Sequence, residues 1–183
     1  MSPSTIIDEI FDAFQRRGHQ TYGERVNQQE HMLQSAYFAE QANVKPTLIA
    51  AALLHDIGHL IHNLGEDIAD KGIDAIHEEI GAEYLEKHFI PAVSEPARLH
   101  VAAKRYLCAV DPQYYADLSP ASVQSLKLQG GFFNAEEIKA FEANPFFEDA
   151  VQLRRFDDMG KVPDMVTPDL EHFRPFLEAG LRS

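Results

Sequence analysis

Apolar residues recur along the chain at three- and four-residue intervals, and the strict alternation of a half-buried strand is absent. Ser4 to Arg17 reads as an amphipathic helix, with Ser4 or Thr5 as cap, Ile6, Ile7, Ile10, Phe11 and Phe14 on one face, and Gly18 as the stop. A second helix is predicted from about Glu24 to Ala42, where His31 heads a face continued by Leu33, Ala36, Tyr37 and Ala39. Lys45-Pro46-Thr47 closes it and opens a third helix that runs to about Leu60. A polar loop, Asn63 to Lys71, leads to a helix opening near Ile73, in which His77 precedes Ile80, Gly81, Tyr84 and Leu85. Gly81, one turn beyond His77, is suited to close helix packing. The next helix starts at Ser94 and carries His100 and Lys104, whose spacing of four puts both on one side. Ser119-Pro120-Ala121-Ser122 enters another, ended by Gln129-Gly130-Gly131; Asn134 caps a short one through Phe141, and a further helix covers Phe146 to Phe156. The tail from Val162 has prolines at 163, 168 and 175 and reads as a loop followed by a short docking helix. The pattern predicts an all-α bundle whose interior site draws side chains from several helices.

Composition narrows this picture. With 183 residues, the chain suits one domain spanning 1–183 rather than two. No apolar run approaches the roughly 18 residues of a membrane span, and the acidic start MSPSTIIDEIFDAF does not read as a secretory leader. The single cysteine, Cys108, has no partner within the chain for a disulfide, which fits a reducing cytoplasm. A net charge of −13 argues against extended nucleic-acid binding, which needs a basic face, yet leaves room for a small anion in a local basic pocket.

The candidate chemistry centres on Ala50 to His59, where His55 and Asp56 stand together among Ala, Leu and Ile. An imidazole and a carboxylate in an apolar helical segment cost solvation free energy, and a metal ion is the common compensation. His31, His77 and His100 recur in similar helical settings, and Asp157 follows Arg154-Arg155-Phe156. Taken singly, His31 fits a core histidine, Lys104 a solvated lysine and Glu24 a solvated glutamate in the first turn of a helix. Their weight comes from occurring together.

The order His31, then His55-Asp56, then Asp157 resembles the HD-domain metalloprotein superfamily. His77 and His100 match the additional histidines of its two-metal members. The resemblance implies a helical HD-domain bundle with a dinuclear site bridged by Asp56, and four imidazoles favour iron, manganese or zinc over a hard ion such as magnesium. Within the superfamily, NQQEH, ALLHDIGH, HVAAKRYL, LSPAS, LQGG and RRFDDMGK are similar to the mixed-valence di-iron oxygenases that cleave organophosphonates.

That likeness implies two irons in the Fe(II)/Fe(III) state, O2 as co-substrate and a small hydroxyphosphonate as substrate, split to phosphate plus glycine or glycine betaine. It further implies that His59, Lys104, Ser122 and Arg154 bind the phosphonate and that Glu24 binds the cationic end. Members acting on a primary amine carry a tyrosine three residues before that glutamate; here Thr21 stands there, with Tyr22 displaced by one. A trimethylammonium group wants carboxylate charge and an aromatic face, so Thr21, Tyr22 and Glu24 incline the expectation towards the trimethylated substrate. Two alternatives share the ligand pattern: an HD phosphohydrolase acting on a nucleotide or phosphoester, and a di-iron polyol oxygenase of the inositol type. A helical module with a purely structural metal is the third, and six ligands beside several anion donors count against it.

Overall fold

The computed structural model describes residues 3–21, 23–61 and 74–183. Tyr22 and the polar loop Asn63 to Lys71 fall outside them. Every regular element among the described residues is a helix; the remaining pairing is two isolated bridges, Thr21 with Asn27 and Phe89 with Leu181. None of these helices is long and apolar enough to cross a membrane.

The bundle is organised around α3 (Pro46–Leu54), in which every residue from Leu48 to Leu54 is buried. A helix apolar on all sides has to be enclosed by others. Around it pack α2 (Gln28–Gln41), α6 (Pro91–Arg98), α11 (Phe147–Met159) and α12 (Leu170–Gly180), the last being the predicted docking helix of the tail. The small side chains of Ala50, Ala51 and Ala52 let these neighbours approach closely. At one end α1 (Pro3–Arg17) closes the core with the predicted face of Ile6, Ile7, Ile10, Phe11 and Phe14, all buried. Next to α4 (Gly58–Ile61) runs α5 (Asp74–His88), and Gly58 and Gly81 meet where their backbones cross, as the small residue at 81 foreshadowed. An aromatic cluster of Tyr106, Phe141 and Phe147 fastens α7 (His100–Val110) to α10 (Ala135–Glu142) and α11. Between them lie α8 (Pro112–Asp117) and α9 (Pro120–Leu128), the latter capped by Ser119.

Several boundaries differ from the sequence reading, each with a local cause. The second helix begins at Gln28, not Glu24, because Asn27 caps it: Asn27 accepts from the Glu30 backbone while the Glu30 side chain accepts from Asn27 N–H. Glu24 therefore stands on the loop before the helix. The HD pair is not inside a helix: α3 ends at Leu54, and His55 to Ile57 form a tight turn held by Ile57 N–H to Leu54 O and His59 N–H to Asp56 O. The helix expected from Ser94 is two, parted at Leu99, so that His100 opens α7. The helix α8, capped by Asp111, was not foreseen, and α11 runs three residues beyond Phe156 to take in Asp157.

Candidate metal centre and its surroundings

Four elements converge on one interior point. From α2 comes His31, from the turn after α3 His55 and Asp56, from α7 His100, and from α11 Asp157; the four apart from Asp56 are at most 5% exposed. Each of the three imidazoles is oriented by the backbone. His31 Nδ1–H donates to Gly160 O at 2.8 Å, His55 Nδ1–H to Ala52 O at 2.7 Å and His100 Nδ1–H to Ala97 O at 2.6 Å. A carbonyl accepts only from an N–H, so the hydrogen of each neutral ring sits on Nδ1 and the Nε2 lone pair faces inward, the usual arrangement of metal-binding histidines. The break at Leu99 serves this geometry, since it lets the His100 ring reach back to the preceding helix.

The inward atoms crowd together. His31 Nε2 is 3.1 Å from His55 Nε2, and it lies 3.3 Å from Asp157 Oδ1. Asp56 divides its oxygens: Oδ2 is 3.5 Å from both His31 and His55 Nε2, and Oδ1 is 3.5 Å from His100 Nε2. One carboxylate thus faces two sets of imidazoles, one oxygen to each. Two lone pairs at hydrogen-bond distance need a cation between them, either a proton or a metal ion. Ligand atoms of His31, His55 and Asp157 all fall within 4.8 Å of one another, so the donor set fits a metal.

The electrostatics of the metal-free cluster agree. Burial alone would raise the Asp56 carboxyl, but the charge on His55 and hydrogen bonds from His100 and His31 hold it well below the usual range. Asp157 is also held low against burial, chiefly by Arg154. His31 moves the other way: burial opposes its charge, yet hydrogen bonds to Asp157 and Asp56 lift it to about 9. A proton on His31 thus serves as the cation when no metal is bound.

The remaining predicted residues divide into groups. His77 is buried on α5 with its ring tilted against that of His59, centroids 4.4 Å apart. Lys104 is buried one turn beyond His100 and donates to Ser125 Oγ at 2.7 Å, while the Ser125 hydroxyl donates to Ser122 O. Arg154, expected at the phosphonate by resemblance, is paired with carboxylates: Asp157 Oδ2 lies at 2.8 Å, and Asp158 and the Tyr114 hydroxyl hold its other nitrogens. Glu24 Oε1 accepts from Ser119 Oγ at 2.6 Å and from Lys161 Nζ at 3.0 Å, and Lys161 Nζ also donates to Ser122 Oγ at 2.9 Å. A cavity of about 250 Å³ opens here, lined by Glu24, Arg25, Asp117, Leu118, Ser119, Asp158 and Lys161. Its lining includes none of His31, His55, Asp56, His77, His100 and Asp157. Thr21 is exposed, in its bridge with Asn27.

The sequence reading missed Lys161, Ser119, Ser125, Tyr114 and Asp158. Lys161 and Asp158 stand inside the RRFDDMGK motif, four and one residues past Asp157, and that proximity is the signal that could have found them. Ser119 had only a helix-entry signature, and Ser125, inside α9, had none. Gly160 is fixed by close approach: a side chain there would meet Ser35 Oγ at 2.6 Å.

An all-helical protein that gathers inward-facing imidazoles and carboxylates around a histidine-aspartate turn is a metalloprotein of the HD class. The HD domain family matches residues 29–122. A relative from Leisingera caerulea, named [1-hydroxy-2-(trimethylamino)ethyl]phosphonate dioxygenase (glycine-betaine-forming), is 46% identical over 97% of this chain and 91% of its own length. A hydroxymethylphosphonate dioxygenase from Gimesia maris is 42% identical over 98% and 90%, and the uncharacterized protein L432 of Acanthamoeba polyphaga mimivirus is 37% identical over 93% and 80%. The chain belongs to the HD-domain family and, within it, to the hydroxyphosphonate dioxygenase group. It is an oxygenase, which sets it apart from the phosphohydrolase alternative, and its relatives are named for phosphonates, not polyols.

Proposed function

We propose that the protein is a di-iron oxygenase that spends O2 to cleave the carbon–phosphorus bond of [1-hydroxy-2-(trimethylammonio)ethyl]phosphonate, giving glycine betaine and phosphate. The primary-amine analogue, which would give glycine, is the neighbouring substrate. His31, His55, Asp56, His77, His100 and Asp157 would hold the two irons, in the mixed-valence Fe(II)/Fe(III) state, with Asp56 between them. The observation that carries this reading is the division of Asp56, one oxygen towards His31 and His55 and the other towards His100. When bound, the iron pair supplies the dioxygen chemistry and a Lewis-acidic seat for the substrate hydroxyl.

The chain's own groups bind and orient. Lys104 and Ser122 offer donors to a phosphonate dianion, and a buried ammonium is worth most where water is excluded. His59, its ring against that of His77, is a further donor for the phosphonate on this reading. Arg154 acts one step back, keeping Asp157 ionised and aimed. The carboxylate of Glu24, beside the cavity, receives the cationic end, and the short Thr21 leaves room for three methyl groups. The 46% identity to a glycine-betaine-forming dioxygenase supports this choice of substrate.

A second reading takes hydroxymethylphosphonate, which has no cation, as the substrate. The contact favouring it is the Lys161 ammonium already on Glu24. Competitive turnover of these hydroxyphosphonates by the iron-loaded enzyme, following phosphate release and oxygen uptake together, tests the assignment. Phosphate and glycine betaine formed in step with oxygen loss are expected. Phosphate release without oxygen would overturn the oxygenase assignment, and turnover of hydroxymethylphosphonate alone would overturn the choice of substrate.

A further inference from the structure

Lys161 is the strongest feature the proposed chemistry leaves unused. It sits four residues past Asp157, and its side chain is only 15% exposed against 12% for Glu24. Its backbone is fastened on both sides. The preceding Gly160 packs against α2 so closely that a methyl group would strike Ser35 Oγ, and its carbonyl receives the His31 ring. The following Val162 is gripped by the buried Gln34 amide, which accepts from Val162 N–H at 2.9 Å and donates to Val162 O at 2.8 Å. An ammonium anchored this way is placed by the fold, unlike a surface lysine that samples many rotamers. Where it is placed is informative, because Nζ bonds both Glu24 Oε1 and Ser122 Oγ. Those are the groups that the proposed function gives to the substrate's cationic end and to its phosphonate.

We infer that Lys161 is a specificity-determining residue, an internal cation that occupies the Glu24 site and competes there with the cationic end of a substrate. The inference rests on the proposed function for the identity of the substrates but not for the competition itself. Among the cavity's other charged groups, Arg25 is a second cation, with no contact to Glu24 to match that of Lys161 Nζ, while Asp158 is paired with Arg154 and Tyr114 and Asp117 accepts from Gln113. With Lys161 in place, Glu24 presents a neutralised pair, which suits a substrate with no cation; a trimethylammonium or ammonium group has to displace the lysine from Glu24. Selectivity between cationic and cation-free hydroxyphosphonates is thus set by the pair and not by Glu24 alone.

Two measurements on the iron-loaded enzyme test this. The first is the ratio of kcat/KM for the trimethylammonium substrate to that for hydroxymethylphosphonate, in which any loss of phosphonate attraction cancels because both substrates carry that group. Lys161→Met should raise the ratio about tenfold, equivalent to ~1.4 kcal/mol; Lys161→Arg should leave it near its starting value, and Glu24→Gln should lower it. The second needs no turnover: tetramethylammonium chloride should raise the melting temperature of Lys161→Met, and do so weakly or not at all for the unaltered enzyme and for the Lys161→Met, Glu24→Gln double variant. An unchanged or lower ratio, or a tetramethylammonium response that does not depend on Lys161, overturns the inference while leaving the oxygenase assignment intact. If neither phosphonate is turned over by any variant yet the tetramethylammonium pattern holds, the substrate assignment fails and the internal-cation role stands.

Discussion

Gly58 lies directly against the backbone carbonyl of His77: a side-chain carbon at 58 would come 1.9 Å from that oxygen. The contact locks α4 to α5 and fixes where His77 stands, its ring against that of His59. Gly58→Ala forces the helices apart, and overpacking of this kind costs about 1–3 kcal/mol. With His77 displaced, the proposed two-metal centre should lose metal, so the metal content of the purified variant should fall towards half that of the parent, read by metal analysis beside a thermal melt. Full metal content with an unchanged melting temperature would remove His77 from the proposed ligands.

Removing His55 or Asp56 should abolish metal binding and activity together. His55→Ala takes away a lone pair aimed at the centre, and Asp56→Ala takes away the carboxylate that faces both sets of imidazoles. Metal analysis and oxygen uptake on the same samples check this. An Asp56 variant that keeps two metals would mean that another group bridges them.

Metal removal should make stability depend on pH in a defined window. Without metal, His31 is raised from 6.5 to about 9, because its hydrogen bonds to Asp157 and Asp56 outweigh burial. A group whose folded pKa lies above its unfolded value stabilises fully below the unfolded pKa and loses that contribution as pH rises through the folded one. Chelator-treated protein should therefore lose melting temperature between pH 6.5 and about 9. The metal-loaded protein, with no proton in that place, should not follow. Identical melting curves for the metal-free protein at both ends of the window would contradict the assignment of the cation to His31.

Thr21→Tyr should move preference from the trimethylammonium substrate towards the primary amine. A phenol adds bulk that three methyl groups meet and an acceptor that only an N–H can use, a difference of about 1–2 kcal/mol, or roughly tenfold in the ratio of kcat/KM. Paired assays with the two substrates measure it. No change in the ratio would place Thr21 outside the substrate's reach, as its exposed bridge with Asn27 allows.

The helices themselves were legible because their signal is periodic: the α1 face of five residues is buried as read, and the tail does end in a docked helix. The cluster was legible because imidazoles beside a carboxylate in an apolar setting ask for a shared partner, and His31, His55, Asp56, His100 and Asp157 do meet. What escaped the reading depends on local exchanges that periodicity does not carry. Asn27 and Glu30 moved the start of α2 past Glu24, although the Asn-x-x-Glu spacing was visible. Leaving the helix at Leu54 trades regular hydrogen bonds for the Gly58 contact with α5, and nothing before Gly58 in the sequence announces it. Arg154 sits three and four residues before two acids, and that spacing, visible in the sequence, is what pairs it with Asp157 and Asp158.

The five residues from Asp157 to Lys161 carry three contacts at once: the Asp157 carboxylate on His31, the Gly160 carbonyl that receives the same ring, and the Lys161 ammonium on Glu24. The end of α11 and the two residues after it thus form one strap between the imidazole cluster and the loop that bears Glu24, so a backbone shift at either end is felt at the other.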